Sequence, residues 1–323
     1  MRTDRDDRAA GPYELGKPRF TSGRECWVFS VPAPEDLPGH HPELMGGALA
    51  PGEAVHHLLY SPLYEAAGGM FGVRGAPGSH ALAVTPDRFV VSRDPHRDGV
   101  PRSVRVIPFD RVLWPELGHA LLLGWLTLRF AEDGRLLTET VFFPTSGMRH
   151  FQAAVRAYRS QEVDGLLPSD HDALWAEACT ACPPYLRNEL PPLAVGQERP
   201  LVVLQSSERW DVPRRGRRPR PRCVSPTAIG ILTERGLLLA ESERPLQPGR
   251  LAFGVNATVV ERNAIRGCRV ETRPGNEAVG ARLQLEVHAN GASGPLEVPF
   301  DPEWAPQAER IVEALGSRAG TAS

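Results

Sequence analysis

Short runs of β-branched and large apolar residues, interrupted by glycine, proline and aspartate, set the rhythm of this chain. The pattern is densest between Ser79 and Arg159. Residues 80–92 read as two strands around the turn Thr85-Pro86-Asp87-Arg88, and further strand-like runs lie at about 103–108, 110–116, 121–131 and 136–143. A first strand is expected over 53–61, and a separate one over 26–31. After Pro144 the period changes. Met148, Phe151, Val155 and Tyr158 follow at spacings of three, four and three, which predicts a helix over 147–159 with Ser146 as its cap and one face buried.

The same plan returns near the C-terminus. Residues 198–206 match 53–61 in length, opening glutamate and closing serine. Residues 231–240 match 83–92, residues 258–265 parallel 105–112, and residues 282–287 parallel 126–131. A final run at 296–300 leads into Ala308, Ile311, Val312 and Leu315, a second helical stripe. Two copies with one order of elements argue for duplication rather than a solenoid. The division that follows is a mobile N-terminal arm at 1–51, a first domain at 52–160, a connector with a short helix at 161–195, a second domain at 196–316 and a tail at 317–323. Ser169 to Asp172 reads as the start of the connector helix, which Pro183 and Pro184 end.

Composition fits this division. The 323 residues suffice for two ordinary domains, and 41% hydrophobic with 24% charged residues is globular. The 31 glycines and 32 prolines favour turns over long helices. A net charge of −2 argues against a globally basic nucleic-acid binder while leaving a local patch open. The charged N-terminus lacks the apolar core of a secretory signal, no run reaches the ~20 apolar residues of a spanning helix, and the five cysteines are scattered. A cytoplasmic, reduced protein without a transmembrane segment is expected, with peripheral membrane attachment open to it.

Seven short strands and a closing helix, with Gly52-Glu53 leading the first strand and Val84-Thr85-Pro86-Asp87-Arg88-Phe89 forming a hairpin, resemble the pleckstrin-homology-like superfamily in its bacterial and GRAM-like branch. In the second copy the hairpin is Leu232-Thr233-Glu234-Arg235-Gly236-Leu237, whose glycine departs from the pattern. The resemblance implies a mainly β (α+β) fold: two tandem seven-stranded antiparallel barrels, each closed by a C-terminal helix. It further implies a binding or scaffolding role, with basic residues in the loop after the first strand.

Candidate chemistry is sparse. Arg209 and the run Arg214, Arg215, Arg217, Arg218, Arg220 and Arg222 form the one concentrated charge feature; such arginines repel one another unless an anion gathers them, and their forks suit phosphate. By the alignment the run falls between the first two strands of copy two, where the family holds phosphorylated head groups. A protein partner, including an acidic one, or an anionic phospholipid surface is therefore expected, with nucleic acid less favoured. Met70, Phe71 and Val73 punctuate a glycine-rich loop and are candidates for contact with a protein partner. That loop lacks the Gly-Lys-Ser/Thr ending of a phosphate loop. Cys179-Thr-Ala-Cys182 is a lone pair without the second pair that a structural zinc site needs, so neither metal nor cofactor is expected. His40-His41 and His56-His57 are adjacent pairs that do not converge, and Asp94 to Asp98 reads as a solvated hairpin tip. No nucleophile elbow or zinc-protease helix occurs. A non-catalytic binding protein is the expectation; an enzyme with a site assembled from distant residues, or nucleic-acid binding through residues 213–222, are the alternatives.

Overall fold

In the computed structural model, residues 27–62, 78–95, 101–160, 171–180, 182–211, 222–243, 254–272 and 281–316 are described. They fall into two compact units. One takes its residues from 1–109, 122–125 and 140–164, and the other from 110–121, 126–139 and 165–323.

The strands of the first unit are β1 (Phe29–Ser30), β2 (His57–Ser61), β3 (Gly78–Val84), β4 (Arg88–Pro95) and β5 (Ser103–Pro108), forming one antiparallel sheet in that order. Both faces are covered. On one lies the helix α1 (His41–Gly46), within the stretch expected as a mobile arm. Leu37, Met45 and Leu49 are buried there against Leu58, Tyr60, Ala81, Ala83 and Val90. Pro34 and Pro42 hide a helical turn from composition-based reading, because each opens a short helix at the position that tolerates proline.

On the other face lies α2 (Met148–Ser160), the helix expected from its periodicity. Phe151 is fully buried and stacks on Phe143 with ring centroids 3.8 Å apart, while Tyr158 packs on Phe89 and Phe109. Ser146 does not cap this helix; it lies in a 3-10 turn, Thr145–Gly147, that leads into it.

Three further strands, β6 (Val112–Ala120), β7 (Leu123–Glu132) and β8 (Arg135–Pro144), follow β5 in the chain. After α2 come α3 (His171–Ala178) and α4 (Pro184–Arg187), then β9 (Pro200–Ser206), β10 (Arg209–Asp211), β11 (Arg222–Ser225), β12 (Ala228–Thr233), β13 (Gly236–Ser242) and β14 (Gly254–Glu261). The chain ends in β15 (Ile265–Thr272), β16 (Ala281–Ala289), β17 (Ala292–Phe300) and α5 (Ala305–Gly316). Four strands (β2–β5 and β9, β12–β14), then three, then a helix, thus occur twice in the same order, with β10 and β11 added to the second copy.

The pairing of those strands overturns the expected pair of closed seven-stranded barrels. Among the described residues no sheet closes. β6 hydrogen-bonds to β14 of the later copy, from Glu116↔Thr258 to Ala120↔Gly254. This creates a seven-stranded sheet in the order β8-β7-β6-β14-β13-β12-β9, while β15-β16-β17 stay as a separate three-stranded sheet and β10-β11 as a hairpin. The physical reason lies in the burial of the paired stretch of β6, where the successive Leu117 and Gly118 are covered, as is Ala120. A strand buried on both faces needs an interior place in a sheet, and β14 supplies the second neighbour.

The core of the second unit lies between the seven-stranded and three-stranded sheets. Leu113, Leu204, Leu232, Leu237, Leu239 and Val260 meet Leu283, Leu285, Val287, Val298 and Phe300, with Ala308 and Ile311 of α5 in the same cluster. Ile311 is fully buried, as its periodicity predicts.

The two copies also share a local device. The N–H of Glu53 donates to Ala50 O (3.0 Å), and a carboxylate oxygen of Glu53 accepts the Ala50 N–H (2.8 Å); Glu198 does the same with Val195 at 3.1 and 3.0 Å. Each turn contains a glycine at positive φ, Gly52 at 76° and Gly196 at 57°. Each glutamate then reaches the first hairpin of its copy. Glu53 accepts from Arg88 Nη2 at 2.7 Å, and Glu198 from Thr233 Oγ1. Thr85 and Thr233 in turn accept backbone N–H groups of their hairpin turns, at 3.2 Å from Arg88 and at 3.1 Å from Gly236. The sequence features behind the family resemblance therefore touch one another in both copies.

Candidate functional site

The arginine run is carried by the β10–β11 hairpin. Short as these strands are, they pair antiparallel, with Trp210↔Cys223 and Asp211↔Arg222 as partners. The base of the hairpin is fixed to the end of β17. Arg209 donates from Nε (3.1 Å) and Nη2 (2.6 Å) to Asp301 Oδ1, and the Ser207 N–H donates to Oδ2 at 3.0 Å. The Asp301 N–H donates to Gln205 O at 2.8 Å, and the buried hydroxyls of Ser206 and Ser225 meet at 3.0 Å. A charge-assisted fork of this kind outranks a neutral hydrogen bond, so it holds the hairpin base in place.

This arrangement changes the role of Arg209. Expected among the anion-binding residues, it is committed to Asp301 and anchors the hairpin. Arg214, Arg215, Arg217, Arg218 and Arg220 lie outside the described residues, as do Met70, Phe71 and Val73; of Arg222 only the backbone is described, in β11.

A polar cluster lies beneath α1, and Asp94, expected in a solvated hairpin tip, is buried instead of exposed. His41 is fully buried, its Nδ1 2.7 Å from Ser92 Oγ and its Nε2 3.0 Å from Ser79 Oγ. Asp94 is also buried and accepts from Arg102 Nε at 3.2 Å. On the opposite face of β3, His80 is enclosed, and its pKa falls to about 3, through burial first and then the charge of Arg93 and the neighbourhood of His41. A histidine beside two serines has the groups of a nucleophile and base, but all three are sealed under α1 and serve to fasten it to the sheet. No motif marks them, since Ser79 and Ser92 lie 38 and 51 residues from His41 in the chain.

Both members of the cysteine pair are buried. Burial, and then the neighbouring Cys179, push Cys182 up to about 12; burial also raises Cys179, with Arg187 opposing. Thiols that hold their protons are poor nucleophiles. Among the described residues no cluster of histidine, cysteine and carboxylate groups is arranged to hold a metal.

A cavity of about 510 Å³ opens on the polar face of the three-stranded sheet, over Gly267, Arg269, Gln284, Glu286, Ser293 and Pro295. Its charged groups are already matched: Arg269 donates to Glu271 and Gln284, and Glu286 meets His288 at 2.9 Å. No helix among the described residues is long and apolar enough to cross a membrane. Neither the family models nor the curated proteins contain a match to the chain.

Proposed function

We propose that this protein is a non-catalytic binding protein that attaches to anionic phospholipid surfaces through the arginine segment at 213–222. The observation that supports this reading is the paired base of that segment, Asp211↔Arg222, tied down by Arg209 and Asp301. Asp211 and Arg222, the described residues on either side of the run, are thus held next to each other. The recurring order of four strands, three strands and a helix supports the likeness to pleckstrin-homology-like domains, in which the equivalent loop holds phosphorylated head groups.

Six arginines lie between 213 and 222. Each basic residue near an anionic membrane contributes roughly 1 kcal/mol, less at high salt, so attachment is measurable and reversible. Co-sedimentation with vesicles of phosphatidylserine and phosphatidylcholine tests it. Wild type is expected to pellet at low salt and release at high salt, and the variant with Arg214, Arg215, Arg217 and Arg218 changed to serine is expected to stay in solution. Binding unchanged in the variant, or absent from wild type, overturns the membrane reading. Salt-sensitive binding to an oligonucleotide with no binding to vesicles would assign the segment to nucleic acid instead.

A further inference from the structure

The turn between β6 and β7 presents leucines to solvent where hairpins ordinarily place glycine or asparagine. Leu122 is 72% exposed, more than any other large apolar side chain among the described residues, and Leu121 beside it is 54% exposed. Leu121 stands at φ 53°, a conformation that leucine adopts only at a cost. The turn is nonetheless held, because Leu122 O accepts the Thr145 N–H at 3.0 Å. From 117 to 128 the chain has no aspartate, glutamate, lysine or arginine, and the charges flanking this stretch, Glu116 and Arg129, pair with each other at 2.8 Å.

Cross-strand register shows where Leu121 stands. Ala120 pairs with Gly254, Val255 with Ser242, Glu241 with Ala228, and Ala228 with Ser206. These residues make up one end of the seven-stranded sheet, and Leu121 follows Ala120 directly beyond it. Arg209 opens β10 three residues after Ser206, and Ser225 closes β11 three residues before Ala228. The leucine turn and the base of the arginine hairpin therefore leave the same end of one sheet. Three to four strand spacings separate them, roughly 15–20 Å. Glu243 stands exposed at the end of β13, between the two, so this end of the sheet is not uniformly basic.

We infer that Leu121 and Leu122 form an apolar wedge that enters the boundary between head groups and acyl chains of a lipid bilayer. This rests on the membrane reading proposed above and adds a second kind of contact to it. Arginines draw the protein to an anionic surface and are screened by salt, whereas the burial of leucine is not. One weak anchor gives marginal attachment, and an apolar group joined to a basic one gives stable attachment. The size of the turn selects lipid over a second copy of the chain or another protein. Two residues bury far less than the ~1,200–2,000 Å² of a stable protein interface, while a bilayer closes around a projection of any size.

The test uses the full chain and vesicles of phosphatidylserine and phosphatidylcholine. L121G/L122S relieves the backbone at Leu121 and changes only exposed side chains, so its melting temperature should not fall. It is expected to bind vesicles at least ten-fold more weakly than wild type and to release at lower salt. A second measurement does not depend on that variant: with brominated acyl chains in the vesicles, L122W should lose more fluorescence than wild type, because the added indole reaches the quencher. Equal vesicle binding by L121G/L122S and wild type overturns the wedge and leaves the arginine segment in place. Quenching of L122W no greater than that of wild type also overturns it. Weaker binding by L121G/L122S together with unchanged binding of the arginine-to-serine variant keeps the wedge and removes the arginine segment. No vesicle binding by wild type overturns both. A self-association of wild type in solution that L121G/L122S abolishes assigns the turn to a second copy and overturns the lipid reading.

Discussion

Thr233 shows how much a single hydroxyl organises. It is buried, donates to Glu198, and accepts the N–H groups of Arg235 and Gly236 at 3.2 and 3.1 Å. Replacing it with valine keeps the shape, but removes a donor from the buried Glu198 and strands two turn amides. T233V should therefore cost about 1–3 kcal/mol in urea unfolding. T85V should cost less, because the Thr85 hydroxyl donates to Asp87, whose side chain is 70% exposed and can turn to water. Equal losses would show that the glutamate is not what makes the second turn matter. His80 adds a pH dependence. Its folded pKa of about 3 lies below the ordinary 6.5, so above pH 6.5 it is neutral in both states and stability is fully present. As pH falls from 6.5 towards 3 the unfolded chain takes up a proton that the folded one refuses, and stability is lost. The drop in urea midpoint between pH 7 and 4 should be smaller in H80L than in wild type; parallel profiles would remove His80 as the cause. The glutamates and threonines were legible in the sequence as recurring letters. That Glu198 bonds to Thr233, and Glu53 to Arg88, was not, because each pair is separated by 35 residues.

At the scale of elements, the helices were the most legible. A stripe of period 3.6 signals burial directly, and Phe151 and Ile311 sit at 0% exposure on α2 and α5. F151A and I311A should each cost about 2–5 kcal/mol, measured by chemical denaturation, with the folded baseline unchanged. The least legible element was a turn. Residues 121–131 read as one continuous apolar strand, yet the chain reverses at Leu121 and Leu122, with Leu121 at φ 53° and the two side chains 54% and 72% exposed. Hairpin turns usually announce themselves with glycine or asparagine, as Asp133-Gly134 does between β7 and β8. A leucine in the left-handed region costs roughly 1–2 kcal/mol, so L121G should raise the melting temperature rather than lower it. A lower value would mean that the exposed side chain contributes packing which the glycine loses. β10 and β11 were missed for a related reason: three and four residues are too few to show any period.

For the whole molecule the deciding feature is the ladder between β6 and β14. Alternation along a strand reveals which residues face inward, but not which strand lies alongside. That is why the order of elements could be read from the sequence while the barrels expected from it could not survive the pairing. The boundary near residue 195 divides the seven-stranded sheet, leaving β6 on one side and β14 on the other. Residues 1–195 and 196–323 produced as separate chains should therefore each expose an unpaired strand edge, aggregate when alone, and form a one-to-one complex when refolded together, visible by size-exclusion chromatography. Two well-behaved monomers that ignore each other would contradict the shared sheet.

The same ladder sets a timetable for biosynthesis. Ala120 emerges from the ribosome about 130 residues before its partner Gly254, and at ~5–20 residues per second the gap is on the order of ten seconds. Throughout that interval β6 has no second neighbour to cover its edge. Nascent chains are thus most vulnerable in mid-synthesis. Slow translation through 160–250 would prolong the exposure, and a chaperone that shields strand edges would act there, before the last third of the protein exists.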